Sequence, residues 1–176
     1  MKDLALNVRA TVHSRSEVGQ QLRSPGDAVL IRRGSPRWMM LKCPCGCGEE
    51  IPINLDHRAG KAWRYYETRT RGVTLYPSIW RDTGCQSHFI VWSGRILLFE
   101  AFGDDDRRDS VSNPTFLSLI EGVRVSWPSG GLASYVQIAD ELGEIPWDVL
   151  DACRHLVRRG VLVEGMGKQR GMFRRK

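Results

Sequence analysis

Residues 43–48 read Cys-Pro-Cys-Gly-Cys-Gly and place three cysteines on alternate positions. A second cluster, Cys-Gln-Ser-His, follows at residues 85–88, so that four of the five cysteines and one of the four histidines lie in two short segments. Alternation of Cys with Pro and Gly bends the backbone tightly enough for several thiolates to face one point. Two separated clusters of this kind are typical of Zn²⁺ sites, in which four Cys or His ligands form a tetrahedron. The sequence therefore predicts a bound zinc ion.

The two clusters offer five ligands to an ion that takes four. Gly46 lets the backbone bend so that the cysteines on either side of it face the ion. Pro44 favours an extended backbone at Cys43, the residue before it. We therefore place Cys43 as the substitute for one of the preferred ligands. If only three ligands bind, water takes the fourth position and the zinc could be catalytic. The predicted ligands are Cys45, Cys47, Cys85 and His88.

Composition restricts the class of protein. The chain has 176 residues and 41% hydrophobic composition, which suits one medium domain or two small ones. No apolar stretch approaches the ~18 residues of a membrane span. Several thiols without a secretory signal indicate a reducing, cytoplasmic location.

The net charge is +6, yet residues 154–176 alone carry eight basic residues against one acidic residue, Glu164. Only this C-terminal region is expected to attract a polyanion.

A charged run divides the chain. Residues 103–110 read Gly-Asp-Asp-Asp-Arg-Arg-Asp-Ser and can bury almost nothing. We therefore predict a first domain over residues 1–103, a linker over 104–113 and a second domain over 114–176. In the first domain, short apolar or alternating runs punctuated by Gly, Pro and Asn or Asp predict strands, and Ser93-Gly94 predicts a two-residue hairpin turn. The predicted strands cover residues 28–31, 38–41, 51–55, 73–76, 89–92 and 96–99.

The second domain has helical periodicity. Residues 114–123 predict a first helix, and Ser134 with Gln137 forms a candidate capping box for a second. Pro146 suits the first turn of a third helix, in which Cys153 lies on the apolar stripe and is expected in the core. A loose hairpin over residues 161–173 follows. This order predicts a winged helix-turn-helix. The predicted fold is α+β: a zinc-stapled, mainly antiparallel β-domain followed by a winged helix.

The charge of the third helix limits its expected partners. Asp148 and Asp151 occupy the half of that helix from which a winged helix reads bases, and carboxylates there repel phosphates. The basic residues of the hairpin and tail could still contact a nucleic-acid backbone. We therefore expect weak, non-specific nucleic acid binding through the C-terminal region.

Three ordered motifs carry a resemblance to a known family. They are residues 43–48, Leu-Tyr-Pro-Ser-Ile-Trp at 75–80 and Gly-Cys-Gln-Ser-His-Phe at 84–89. Over roughly residues 25–100 the chain resembles bacterial ubiquitin-like-protein peptidases of the BubE type. The resemblance implies a cytoplasmic bacterial peptidase that processes or deconjugates a ubiquitin-like protein. It also implies partners among the associated E1-like and E2-like enzymes.

Two mechanisms fit these residues. In one, Ser78 is the nucleophile and His88 its base, so that cysteines alone must hold the zinc. In the other, a metal-bound water attacks, with Glu49 or Glu50 as general base. The alternative function is a non-catalytic zinc-binding adaptor or DNA-binding regulator. Closed four-ligand coordination with a buried Ser78 would favour that alternative, whereas an exposed Ser78 beside a free imidazole would favour the peptidase.

Overall fold

Two β-sheets form the first part of the chain. A computed structural model describes residues 3–99, 114–128 and 130–176 and divides the chain into two compact units, residues 1–103 and 104–176. The described strands of the first unit are β1 (Asp3–Ala5), β2 (Asn7–Val12), β3 (Asp27–Arg33), β4 (Ser35–Lys42), β5 (Glu50–Asn54), β6 (Arg64–Thr68), β7 (Gly72–Trp80), β8 (His88–Trp92) and β9 (Arg95–Leu98). One sheet has the order β1-β9-β8-β7-β6 and the other β2-β3-β4-β5.

Alternating side chains on β3 and β4 explain how the two sheets pack. Leu30 lies opposite Met39, and both face the core shared with the other sheet, while Val29 and Met40 form the next pair and face the opposite side. Neighbouring residues of a strand point to opposite faces, so β3 is buried on both sides. The shared core contains Ala28, Leu30, Met39, Leu41, Cys43, Ile51, Ile53, Leu55, Val73, Leu75, Ile79, Phe89, Val91 and Ile96.

All six predicted strands form, as β3, β4, β5, β7, β8 and β9. Ser93 and Gly94 connect β8 to β9 with φ values of 52° and 74°, the left-handed conformation that a two-residue hairpin turn requires. Three further strands, β1, β2 and β6, were not predicted. In the described residues β2 pairs with β3 in parallel, while the other pairings are antiparallel. The predicted α+β class with mainly antiparallel sheets is confirmed.

Three helices and three short strands form the described part of the second unit. Its sheet is antiparallel, in the order β10-β12-β11. The core is apolar: Trp127 and Phe173 pack edge to face at 5.8 Å, and Cys153 is fully buried, as predicted. The predicted linker, residues 104–113, lies outside the described residues. The elements are α1 (Pro114–Ser126), β10 (Ala133–Ser134), α2 (Tyr135–Leu142), α3 (Pro146–Arg158), β11 (Leu162–Glu164) and β12 (Met172–Arg175).

The ends of α2 differ in one detail from the predicted capping box. The Ser134 hydroxyl accepts a hydrogen bond from the Val136 amide at 3.2 Å, so Ser134 is the N-cap. Gln137, however, donates to Glu141 one turn later instead of reaching back to Ser134. The reciprocal half of the predicted box is therefore wrong. Gly143 ends the helix in the left-handed conformation, with φ 66°.

The two acidic residues of α3 do not lie where the sequence predicted. Asp148 and Asp151 are each 4% exposed. They belong to the buried side of the helix, which also carries Val149 and Ala152. The predicted position of these carboxylates on the nucleic-acid-facing surface of α3 is therefore wrong, because they are not presented to solvent. Across the described residues, no helix is long and apolar enough to span a bilayer.

Candidate active site and metal centre

Two loops, one from each sheet of the first unit, bring four cysteines together. The first loop, residues 43–49, connects β4 to β5 and is closed by a hydrogen bond from the Cys43 amide to the Glu49 carbonyl at 2.8 Å. Inside it, Gly46 has φ 89° and donates its amide to the Cys43 carbonyl at 3.2 Å. A side chain is disfavoured at this φ, so glycine permits the turn. The second loop, residues 81–87, connects β7 to β8 and carries Cys85.

The four thiols form a compact group, here called the thiol cluster. The sulfur atoms of Cys43, Cys45, Cys47 and Cys85 all lie within 4.8 Å of one another. Cys43 Sγ is 3.3 Å from Cys45 Sγ and 3.6 Å from Cys85 Sγ. A tetrahedral ion with metal–sulfur bonds of about 2.3 Å would separate its sulfur ligands by about 3.8 Å. The thiol cluster could therefore hold a metal ion with small adjustments of its side chains.

Without a cation, at least two of the four thiols stay protonated at neutral pH. Burial raises the pKa of the Cys43 thiol, and it raises the pKa of Cys45 to about 12. The hydroxyl of Ser87, 3.3 Å from Cys85 Sγ and 3.4 Å from Cys43 Sγ, lowers the pKa of Cys85 to about 6. Several thiolates in one small volume repel each other unless a positive ion lies between them. Soft sulfur ligands suit zinc and other thiophilic metals.

The thiol cluster and the predicted ligand set differ at one position. Within the described residues, the close ligand atoms are the four thiols, and His88 lies outside the group. Cys43, predicted as the substitute, takes the place given to His88. The reason is geometric: Cys43 follows β4, is fully buried and directs its sulfur toward Cys45 and Cys85. His88 opens β8, and its ring makes other contacts.

The His88 ring contacts Ser78 on the neighbouring strand. Residues Ile79 and Phe89 face each other across β7 and β8 and point into the core, with exposures of 2% and 0%. Ser78 and His88, one residue before each of them, therefore lie on the opposite face of the sheet. Ser78 Oγ is 3.0 Å from His88 Nε2. A hydroxyl at this distance from an imidazole is the arrangement of a nucleophile and its general base. We call these two residues the Ser–His pair.

Aromatic and backbone contacts surround the Ser–His pair. The His88 ring is stacked between Trp80 and Phe99, with centroid distances of 5.4 Å and 3.7 Å. Burial lowers the pKa of His88, which keeps the imidazole neutral and able to accept a proton. The backbone of Ser78 is also held: the indole N–H of Trp63 donates a hydrogen bond to the Ser78 carbonyl at 3.3 Å.

The two glutamates named as alternative general bases are both paired with cations. Glu49 lies 2.6 Å from Arg81, which is itself only 18% exposed. Glu50 lies 3.6 Å from Lys42. The Glu49–Arg81 pair connects the same two loops as the thiol cluster. Glu49 is therefore paired across the two loops, and Glu50 is paired across β4 and β5.

The part of the chain that contains this site matches a known protein family. Residues 14–99 match the family described as bacterial ubiquitination-like system serine protease (BubE). The predicted resemblance is confirmed, and the BubE match includes the thiol cluster and the Ser–His pair. The family description indicates a protease in a bacterial ubiquitination-like system. Comparisons with curated proteins and with solved structures found no match.

The preferred ligand set left out Cys43, which was named as the substitute and was needed where cysteines alone hold the zinc; its position directly after an apolar strand was a usable signal. One feature of the site was not predicted, namely the row of aromatic side chains that contains His88. This row depends on the register of three neighbouring strands, and that register is known only once β7, β8 and β9 are paired.

Proposed function

We propose that the first unit is a serine peptidase that cleaves the bond after the C-terminal tail of a ubiquitin-like protein in the bacterial cytoplasm. The observation that carries the proposal is the 3.0 Å contact between Ser78 Oγ and His88 Nε2. The family match supports the same reaction class, because its description names a serine protease. The substrate follows from that description, which names a ubiquitination-like system.

The chemistry follows from the two side chains. Ser78 Oγ attacks the carbonyl carbon at the end of the tail, and its proton passes to His88 Nε2 as the oxygen–carbon bond forms. The tetrahedral intermediate collapses, the bond to the leaving amine breaks, and the amine takes the proton from Nε2. Water then attacks the Ser78 ester and gives a proton to Nε2, which returns it to Oγ. This cycle needs the tautomer of His88 with its hydrogen on Nδ1.

We propose that the thiol cluster holds zinc as a structural ion. Four sulfur ligands complete a tetrahedral sphere and leave no position for a reacting water. Bound zinc would supply a cross-link between the two sheets of the first unit. The β7–β8 loop that contributes Cys85 leads directly into His88, so the cross-link would fix the start of β8.

The alternative, a zinc-bound water with a glutamate base, has less support. It requires an open coordination position, whereas four thiols lie close enough to bind together. It also requires a free carboxylate, whereas Glu49 contacts Arg81 and Glu50 contacts Lys42.

For the second unit we propose a winged helix that docks a partner. The order α1-β10-α2-α3-β11-β12, with a three-stranded antiparallel sheet, supports this assignment. Its basic residues favour weak, non-specific contact with nucleic acid, and an E1-like or E2-like enzyme is the other candidate partner. If the first unit were inactive, the chain would be an adaptor or DNA-binding regulator. Fluorescence anisotropy with unrelated DNA duplexes tests the nucleic-acid part, and tight, sequence-selective binding at physiological salt would contradict it.

The peptidase proposal is tested with a ubiquitin-like protein carrying a short C-terminal extension. The full chain should remove the extension, and Ser78→Ala should reduce the rate by at least about 10³-fold while zinc content stays unchanged. Ser35→Ala is the control, because Ser35 is an exposed serine on a strand of the other sheet. Cleavage by Ser78→Ala at the wild-type rate would contradict the proposal.

A further inference from the structure

Many catalytic histidines are oriented by a third residue, usually a carboxylate. Among the described residues, no carboxylate forms a hydrogen bond or an ion pair with the His88 ring. An imidazole without such a partner can rotate about its Cβ–Cγ bond and lose the contact with the nucleophile. In the described part of the chain, the contacts that can hold the ring are therefore those with its neighbouring side chains.

Strand pairing places an aromatic side chain on each side of His88. Trp80 lies directly opposite His88 in the pairing of β7 with β8. Phe89 lies opposite Leu98 in the pairing of β8 with β9, so Phe99 is the next neighbour of His88 on that side. Directly opposed residues of neighbouring strands have Cβ atoms about 4.5–5.5 Å apart. The three rings thus form one row across the sheet.

The rings are close to parallel. The plane of His88 is inclined by 22° to Trp80 and by 9° to Phe99, with centroid distances of 5.4 Å and 3.7 Å. Rotation of the imidazole out of this plane would drive its edges into the flanking rings. The two flanking rings therefore restrict the imidazole to orientations in which its plane stays parallel to theirs. In one of these orientations Nε2 points to Ser78 Oγ.

We propose that Trp80 and Phe99 are positioning residues that hold the His88 imidazole in the orientation in which it accepts the Ser78 proton. The inference rests on the proposed function, since it concerns the same pair. Neither ring belongs to the apolar core of the first unit: Trp80 is 73% exposed and Phe99 38% exposed. Their contacts with His88 are therefore not a by-product of core packing.

The test measures the reactivity of Ser78 without needing the natural substrate. A fluorophosphonate probe reacts with an activated serine: Oγ bonds to phosphorus, fluoride leaves, and the base takes the hydroxyl proton. The full chain is labelled at several probe concentrations, and mass spectrometry locates the adduct. Phe99→Leu and Trp80→Leu should each lower the maximal labelling rate at Ser78 by about tenfold or more, since small misplacements of catalytic groups have effects of this size. The probe concentration at half-maximal rate should not change.

Conservative variants and a matched control separate positioning from general stability. Phe99→Tyr and Trp80→Phe keep a flat ring and should label at close to the wild-type rate. Trp38→Leu removes an aromatic side chain of matched exposure, 37%, from the other sheet and should have no effect. Zinc content and the thermal midpoint are measured on every variant. Trp80 is the more exposed of the two, so Trp80→Leu provides the result if Phe99→Leu fails to fold.

The outcomes distinguish the two proposals. If wild-type protein is labelled at Ser78 and both leucine variants are labelled equally fast, the positioning role is wrong while the peptidase proposal stands. If the leucine variants are slow but the tyrosine and phenylalanine variants are equally slow, ring stacking is not the cause and the inference also fails. If wild-type protein is not labelled at Ser78, the proposed function itself is wrong.

Discussion

The β7–β8 hairpin carries two groups of polar side chains with opposite requirements. At its loop, Cys85 joins a cluster of like groups, which repel each other when ionised unless a cation is bound. On its strands, Ser78 and His88 form a complementary donor and acceptor that satisfy each other without a cation. Under the proposed function, the more conspicuous motif, the cysteine cluster, has a structural role. The chemistry is then assigned to a serine that the cysteine pattern does not mark.

The two groups also differ in what they connect. The thiol cluster joins a loop of one sheet to a loop of the other, while the Ser–His pair lies within one sheet. Loss of the thiol cluster should therefore loosen the whole first unit. Loss of one member of the Ser–His pair should affect activity and leave the fold intact.

The largest expected effect is that of Cys43→Ser. This change removes a buried ligand, and because binding energy of a structural metal is folding energy, we expect the first unit to lose at least about 3 kcal/mol, or roughly 12 °C in its thermal midpoint. Elemental analysis should show loss of zinc. The measurement is calorimetry of the full chain together with metal content.

Cys153→Ser is the matched control for that change. Cys153 is equally buried but lies in the core of the second unit. The variant should keep its zinc and the midpoint of its first unit, with destabilisation of about 1–3 kcal/mol confined to the second unit. Equal zinc content in Cys43→Ser and wild-type protein would show that the thiol cluster is not the metal site.

His88→Ala tests whether His88 acts in cleavage and not in metal binding. Removal of the base should lower the cleavage rate by about 10²–10⁴-fold, because general base catalysis contributes on this scale. Zinc content should remain at the wild-type level, since His88 lies outside the thiol cluster. Loss of zinc in this variant would restore His88 as a ligand and overturn the division of roles.

The pH dependence of activity should follow His88. Burial lowers its pKa below the ordinary value of 6.5, and the imidazole acts as a base only when neutral. Activity should therefore persist below pH 6.5 and then decline by about tenfold per pH unit once the pH is below the lowered pKa. Initial rates across the acid range test this, with zinc content measured at each pH because acid also protonates thiolates. A decline centred above pH 6.5 with zinc retained would contradict the assignment.

The smallest effect is expected for Glu49→Gln. The change weakens an ion pair in which Glu49 is 42% exposed, so we expect a loss of less than about 1 kcal/mol in stability. The cleavage rate should stay within about twofold of wild type, whereas loss of a general base would lower it at least about 10²-fold. A loss of that larger size would favour the metal-bound water.

Much of the first unit could be predicted because its strands are short apolar or alternating runs separated by turn residues. Residues 28–31 and 38–41 are apolar runs of this kind, and Ser93-Gly94 specifies its own turn. The strand β6 was missed because Arg-Tyr-Tyr-Glu-Thr at residues 64–68 shows neither pattern. Its strand conformation comes from pairing with β7, a tertiary contact.

The sequence predicted which residues belong to the site, but not which of them contact each other. The two sequence clusters contain the four cysteines and His88, but the side of the sheet that His88 faces depends on the register of β7 with β8. A shift of one residue would turn the imidazole to the opposite face of the sheet, and local spacing does not encode that register. The same limit applies to Asp148 and Asp151, whose burial depends on how α3 packs in the second unit.

The most direct test of the division of roles is to trap the covalent intermediate. The zinc-loaded chain is mixed with a ubiquitin-like substrate and quenched in acid within the first turnover, and intact mass and peptide mapping locate the adduct. We predict an ester between the substrate's C-terminal carboxyl group and Ser78 Oγ, while an unquenched sample of the same protein holds one zinc per chain. Turnover that proceeds without any adduct on Ser78, and continues in Ser78→Ala, would contradict the account.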